Sequence, residues 1–511
     1  MKSKFNSQRL LEAIPGIITW IVLTSPLWAG ILLPKAYGVF IILIVSYWVM
    51  KGIRFLVLFF YSYYRINQAK RIDWLKKLDE IKLEDGILDY KKLKFIVLLP
   101  FASEPKNVIE SVIVSLKNQN IDTKQILILL ATEARFPQGF EVANDLKREY
   151  EKYFGGFFIN VHTLVEGEIA GKGSNANAAA KYMQGIIDEN YDIEYTTILY
   201  TDSDSIYIPF AFSYFAYLFV QDKNRYSKFW SGAMNYMQNF WDLPFFSRIL
   251  NSAFSFYNIP NIVLSETRFI QISSFFFSWK LFEEIGYSDC DIISDDYHIF
   301  YKALFKHFEK TKTEAMYMII GSDACEGVGI QDTFKKQFRQ IERWSWGIED
   351  FPYCVRNTVA TLKNRNISIK SKLYILLRVI PPFWNHQMWP ISGIFIGISI
   401  LAISIFTVTN STSTFWLNLS NFVTISFSFA TLTIIINLIA SLLLRPNMPM
   451  RYTNLKGAKK YYEYGKLFIL ELLNWYLLPY YIFLLSGLPS LFSHTRLMLG
   501  KYIGFRLTEK K

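Results

Sequence analysis

The chain has 511 residues, 51% of them apolar and 19% charged, and its 44 Phe, 32 Tyr and 13 Trp make an aromatic load above that of ordinary soluble proteins. Contact with lipid is the simplest cause, and the net charge of +12 then belongs with anionic lipid beside membrane spans, so no nucleic-acid partner is expected. Cys290, Cys325 and Cys354 are too scattered for a disulfide framework or a zinc pattern, and the five histidines show no H-x-x-x-H spacing, so no thiol or histidine site is expected.

From Ala13 to Leu33 runs an uncharged apolar stretch, and a second follows from Tyr37 to Met50, extending through Phe55 to Tyr61. Together they predict a transmembrane hairpin over 1–66. The first stretch is too long for a signal-peptide core, and no small-residue cleavage site follows it. Apolar spans return at Trp389 to Val408, Phe422 to Leu444 and Leu467 to Leu491, forming a membrane region over 389–495. Before them, over 351–388, Lys370, Lys372 and Arg378 mix with apolar residues as in a helix lying in the interface.

The loop Arg451 to Lys466 carries Arg451, Lys456, Lys459, Lys460 and Lys466, whereas Thr407 to Ser420 has no basic residue. The positive-inside rule therefore puts that loop, the N-terminus with Lys2, Lys4 and Arg9, and the domain between the second and third spans in the cytoplasm of a plasma (inner) membrane protein. Five spans would then carry the basic tail 496–511, with Arg496, Lys501, Arg506, Lys510 and Lys511, to the other side. That conflict disappears only if the Pro479 region bends back or the tail lies along the interface.

Between the hairpin and the later spans, residues 90–350 alternate short apolar runs with amphipathic segments. Lys94 to Pro100, Gln125 to Ala131, Phe157 to Thr163 and Thr197 to Asp202 read as strands. Helices are expected after Pro105, over Glu141 to Phe154 and over Ser174 to Ile187. Continuous apolar strands alternating with helices imply an α/β domain with a Rossmann-like, mostly parallel sheet covered on both faces. Ligands of such sheets sit at the carboxyl ends of the strands, where Glu104, Glu133, Asp202 and Asp204 are found.

Asp202-Ser203-Asp204 directly follows an uncharged strand, so its carboxylates are candidates to hold a hard cation, although D-x-D also caps ordinary turns. Asp295 and Asp296 follow Ser294 at the start of an amphipathic helix. They either favour the helix dipole or supply a general base, for which Asp296 is the candidate. Gly171-Lys172-Gly173 with Asn177 suits a diphosphate at a helix start, or is a plain flexible turn, and it lacks the spacing of a phosphate-binding P-loop. On the basic helix from Phe334, Gln340, Arg343 and Trp344 share a face by i, i+3 and i+4 spacing. That face either offers an amide, a guanidinium and an indole to one ligand or simply meets solvent or lipid.

The ordered set Pro100 to Glu104, Gly171 to Asn177, Asp202 to Asp204, Ser294-Asp295-Asp296 and Gln340 to Trp344 resembles the family 2 inverting glycosyltransferases. The resemblance is to their membrane-integrated branch, which includes cellulose, chitin and hyaluronan synthases. It covers roughly Lys94 to Gly347 and implies an A-type glycosyltransferase fold plus an α-helical transmembrane domain. It further implies that Glu104, Glu133, Asn177 and Asp202 contact the nucleotide end of a nucleotide-sugar donor, a UDP-sugar first, and Lys172 its diphosphate. Asp204 with Asp202 would hold Mg²⁺ or Mn²⁺. Asp296 would be the base, with Asp295, Gln340, Arg343 and Trp344 around the diphosphate and acceptor.

Ala131-Thr132-Glu133 replaces an aspartate found in many relatives, which leaves the base of the donor open. The aromatic run Gln271 to Trp279 replaces a glycine-containing turn and suggests a different acceptor surface. The expected function is inverting sugar transfer to an acceptor hydroxyl, for polysaccharide or cell-surface glycan, with transfer to a polyprenyl-phosphate or other lipid acceptor as the alternative. A transporter or receptor with a nucleotide-sensing domain is disfavoured, because no internal repeat is evident and Glu471 is the one acid noted within a span.

Overall fold

In the computed structural model, which describes residues 2–264, 270–395 and 413–504 with the single positions 398, 401 and 405, the chain opens with helices α1 (Lys2–Leu32) and α2 (Pro34–Ala69). Pro34 sits in the first turn of α2, where its missing N–H costs nothing, and so starts a new helix without continuing the old one. Both helices are long and apolar enough to cross a membrane. At 36 residues α2 rises roughly 54 Å, well beyond a hydrocarbon core of about 30 Å. Its far end is accordingly a shaft into the next domain: Phe59 and Ile66 are fully buried, Phe59 packs on Phe256 and Arg65 lies over the Tyr317 ring.

The strands are β1 (Lys94–Pro100), β2 (Ile126–Glu133), β3 (Gly156–His162), β4 (Thr196–Tyr200), β5 (Phe229–Asn235), β6 (Phe275–Ser278) and β7 (Thr313–Gly321). They form one sheet in the order β3-β2-β1-β4-β6-β5-β7, parallel except for β6, which runs antiparallel to both neighbours. Along β1, Phe95, Val97 and Leu99 enter one core and Ile96 and Leu98 the other, as the two-residue repeat of a strand requires when both faces are covered. Order reverses between β1 and β4, so a crevice opens beyond their carboxyl ends.

The intervening helices are α3 (Trp74–Asp79), α4 (Lys106–Lys117), α5 (Pro137–Tyr150), α6 (Lys172–Asn190), α7 (Ala211–Gln221), α8 (Phe245–Asn261), α9 (Trp279–Glu284) and α10 (Asp295–His307). The α/β fold expected from the strand and helix pattern is thus present. Helix α5 begins four residues before its expected start because Pro137 can occupy the first turn. The aromatic run before Trp279 is not an acceptor surface, which corrects that expectation. Phe275, Phe276 and Phe277 form β6 and are fully buried between the two cores.

Beyond the sheet come α11 (Gly329–Ser345), α12 (Phe351–Lys363) and α13 (Ile369–Pro390), the last running beyond the expected interfacial stretch. Half of the expected span Trp389 to Val408 lies outside the described residues, as do Arg506, Lys510 and Lys511. Helix Thr414–Leu444 covers the next expected span, Phe422 to Leu444. Helix Gly457–Tyr476 and the run Leu478–Met498 meet at a 55° bend, where Pro479 interrupts the backbone hydrogen bonds. Within this region Glu471 is matched by Arg445 at 3.0 Å.

Beyond the bend, the described start of the tail packs against α1. Arg9 of α1 donates to the carbonyls of Leu497 and Met498, both at 3.1 Å, and Tyr502 donates to Glu12 at 2.6 Å. Arg496 stands 3.6 Å from Glu342 of α11. Residues 496–502 therefore lie against the start of α1 and against helix α11.

Candidate functional site

A cavity of about 610 Å³ opens beyond β1 and β4 and continues to α2 and α13. Its walls bring together Glu104, Glu133, Lys172, Asp202, Asp295, Asp296, Gln340, Arg343 and Trp344, residues separated by up to 240 positions in the sequence. Two of the expected residues, Asn177 and Asp204, do not line it.

Helix α6 starts at Lys172, so helical phase puts Asn175, three residues on, beside the lysine and turns Asn177 away. Asn175 lines the cavity with its Nδ2 donating to Ala131 O at 2.8 Å, whereas Asn177 is buried and donates to the carbonyl of Ser288. The expectation that Asn177 contacts a donor is corrected accordingly. Asp204 is only 2% exposed, and its Oδ2 accepts from Ser322 Oγ at 2.6 Å and from the Asp323 N–H at 2.7 Å. At this point the carboxylates open to the cavity are those of Asp202 and Asp323.

Lys172 donates to Asp202 Oδ1 at 2.7 Å and to Ser273 O at 3.3 Å, and its ammonium lies over the Tyr200 ring. Burial alone would lower its pKa, but the charges of Asp202, Asp295 and Asp296 outweigh burial and keep it protonated. Tyr200 donates its hydroxyl to Asp295, which fixes that carboxylate against the wall. Asp296 accepts from the Ser273 N–H at 2.9 Å and from its own neighbour, Tyr297 N–H, at 3.0 Å. Burial and the like charge of Asp295 raise its pKa to about 6, with Lys172 opposing. A carboxylate so tuned can take a proton near neutral pH.

At the β1 end, Glu104 accepts from the Ala102 N–H at 2.7 Å and from Ser203 Oγ at 3.1 Å, and Glu133 is paired with Arg135. On α11, Gln340 accepts from Gln337 at 3.1 Å, and the Trp344 ring packs beside Tyr236 and Phe254. The two acids after the Q-x-x-R-W segment clamp the start of α10. Glu349 accepts from the backbone N–H groups of Ile293 and Ser294 at 2.8 and 2.9 Å and from Trp346 Nε1 at 2.7 Å. Burial raises its pKa to about 8. Asp350 and Asp289 hold His298 from its two ring nitrogens at 2.5 and 2.8 Å. The positions of Asp295 and Asp296 are thereby set by side chains that do not line the cavity.

Residues 197–484 match the family described as glycosyl transferase family group 2, which is more than half of the chain. The chain belongs to glycosyl transferase family group 2. This glycosyltransferase has the A-type fold expected for it, a mostly parallel sheet with one antiparallel strand, joined to apolar helices. No curated protein matches it. Among solved structures, it is similar to the mannosyltransferase PcManGT from Pyrobaculum calidifontis in complex with GDP-Man and Mn²⁺, with 12% identity over 74% of this chain and 98% of that chain and a TM-score of 0.37. It is also similar to S. aureus TarS 1-349 in complex with UDP-GlcNAc, with 14% identity over 61% of this chain and 81% of that one and a TM-score of 0.35.

Among the described residues, no three His, Cys, Asp or Glu side chains gather closely enough to hold a metal ion by themselves. Two open carboxylates at one end of a cleft nevertheless suit Mg²⁺ or Mn²⁺, which usually take one or two protein carboxylates and complete their shell with phosphate oxygens and water. Ser273, Tyr236, Asp323 and Glu349 escaped the sequence reading, because nothing local marks them. Their roles come from elements that meet only in the fold.

Proposed function

We propose that this glycosyltransferase is an inverting enzyme of a plasma (inner) membrane that transfers a sugar from a nucleoside-diphosphate donor, a UDP-sugar first, to an acceptor presented from the membrane side, with the catalytic domain cytoplasmic. The observation that carries the reading is the shared cavity. Glu104, Glu133 and Asp202, a held lysine, a carboxylate poised near neutral pH and the Gln340, Arg343, Trp344 face all open onto it.

Glu104, Glu133 and Asn175 meet the nucleoside end. Lys172 and Arg343 carry the charge that develops on the departing diphosphate, a role for which fixed cations in a closed cleft are well suited. Asp202 and Asp323 would hold Mg²⁺ or Mn²⁺, and Asp204 anchors Asp323 by its backbone. When bound, the cation would add to the neutralisation of the leaving group. Asp296 takes the proton of an attacking hydroxyl, the new glycosidic bond forms on the face opposite the diphosphate, and the anomeric configuration inverts. Trp344 and its aromatic neighbours stack on sugar.

The test is purified full-length protein incubated with a panel of nucleotide sugars and Mg²⁺ or Mn²⁺, with released nucleotide measured. Release of nucleoside diphosphate from one donor, lost in Asp296→Asn while that donor still binds, is the expected result. Unchanged turnover in that variant would remove the base assignment, and failure of every nucleotide sugar to bind would remove the reading.

A further inference from the structure

The membrane end of the cavity is lined by Tyr47, Met50, Lys51, Arg54 and Phe55 of α2, positions spaced i, i+3, i+4, i+7 and i+8 and hence one stripe of the helix. Two of these are cations inside a helix otherwise apolar enough to span a bilayer. Lys51 is half-buried among the rings of Tyr47, Trp48, Phe55 and Tyr257, at 4.7 to 5.8 Å from their centroids, and donates to Asn385 Oδ1 at 3.3 Å. Among the described residues neither Lys51 nor Arg54 forms an ion pair, whereas Lys172, at the other end of the same cavity, pairs with Asp202. Ring faces compensate part of the cost of holding a lysine there, and a counter-charge is still missing.

The facing wall on α13 supplies Trp384, Asn385, His386 and Trp389. His386 is only 6% exposed, and neither of its ring nitrogens has a hydrogen-bond partner among the described residues. It sits against Gly347, just past the Q-x-x-R-W segment, where a side-chain Cβ would come within 3.1 Å of its ring. Two cations without an ion pair and an unsatisfied imidazole thus border a largely aromatic chamber that also carries Asn258, Asn261 and Asn385.

We propose that Lys51 and Arg54 form an anion subsite that holds the phosphate of a lipid-borne acceptor, with His386 as a further donor to it. The proposal deepens the reading above, because it takes this end of the cavity as the acceptor's side. A phosphate supplies the missing counter-charge through charge-assisted hydrogen bonds. A lipid source is favoured over a soluble phosphate because α2 turns exposed Ile53 and Val57 outward at the level of the subsite, as a lipid-facing helix does. The aromatic walls also suit an apolar chain.

The experiment titrates full-length protein in detergent with farnesyl phosphate, farnesol and inorganic phosphate, following quenching of tryptophan fluorescence. Wild type is expected to bind farnesyl phosphate saturably, Lys51→Gln about tenfold more weakly, and Lys51→Arg close to wild type. Arg54→Gln, at an exposed position, weakens binding in the same direction and guards against a folding artefact at Lys51. Farnesol binding as tight as that of farnesyl phosphate, or equal affinity in Lys51→Gln, overturns the subsite. Inorganic phosphate binding as tightly as farnesyl phosphate overturns the lipid source. Loss of nucleoside-diphosphate affinity in Lys51→Gln, equal to its loss for farnesyl phosphate, assigns the cations to the donor and also overturns the proposal. Because binding is read without turnover, farnesyl phosphate held through Lys51 by a chain that accepts no nucleotide sugar would sink the glycosyl-transfer reading and leave this subsite standing.

Discussion

Ser273 donates its backbone N–H to Asp296 Oδ2 at 2.9 Å from a left-handed conformation, φ 58°, that a non-glycine residue rarely adopts. Its carbonyl meanwhile accepts from Lys172 at 3.3 Å. One strained peptide segment therefore orients both the proposed base and the proposed diphosphate lysine, and such strain persists only where the surroundings impose it.

The main chain of Ser273, more than its hydroxyl, should matter. Ser273→Gly adopts the same φ freely and is expected to keep kcat within about threefold, whereas β-branched Ser273→Val resists it and should lose about tenfold or more. Steady-state kinetics of the two variants, with donor affinity measured separately, checks this. Equal losses would show that the side chain is what counts.

The pH profile follows from Asp296. A base must be deprotonated to work, so kcat/KM should rise with pH and level off above a limb near 6, where burial and Asp295 place this carboxyl. Asp295→Asn removes the like charge and should move the limb to lower pH. Lys172→Gln removes a stabilising cation and should move it higher. A limb that stays in place in both variants would belong to another group.

Much of this was legible in the chain because the signals were local. Lys94 to Pro100 is an unbroken apolar run, and β1 occupies those residues. The acids expected at strand ends did reach one cleft where their own strand aimed them, as for Glu104, Glu133 and Asp202. Asp204 did not, because its burial depends on Ser322, 118 residues away beyond β7. Motif spacing points to Asn177, whereas helical phase favours Asn175. Lys51 interrupts an apolar run, and a charge in such a place is itself the local signal of its site.

His298 gives a stability prediction with a definite sign. Burial would lower its pKa, but Asp350 and Asp289 raise it to about 10. A group whose folded pKa lies above its unfolded value of about 6.5 contributes stability that is fully present below pH 6.5 and is lost as pH rises toward 10. The melting temperature in detergent should therefore decline over that window in the wild type and decline less in His298→Gln. At pH 6 the variant should be less stable by about 3 kcal/mol, the usual cost of leaving one buried carboxylate, that of Asp350, without its cation, since Asp289 keeps Lys302.

Asp204 and Asp323 separate two accounts of the acidic end of the cleft. Asp204 Oδ2 is committed to Ser322 Oγ and the Asp323 N–H, so an amide keeps both bonds only with its carbonyl oxygen there, which leaves its NH₂ in a buried place that held a carboxylate oxygen. Asp204→Asn should then lower the melting temperature, and with it activity, at every cation concentration. Asp323→Asn alters a carboxylate that lines the cavity and leaves the backbone bond intact. It should leave melting unchanged and shift half-maximal activation by Mn²⁺ about tenfold upward. If Asp204→Asn instead shifts the Mn²⁺ curve with no loss of stability, Asp204 turns toward the cation when donor binds, and Asp323 serves only as its backbone anchor.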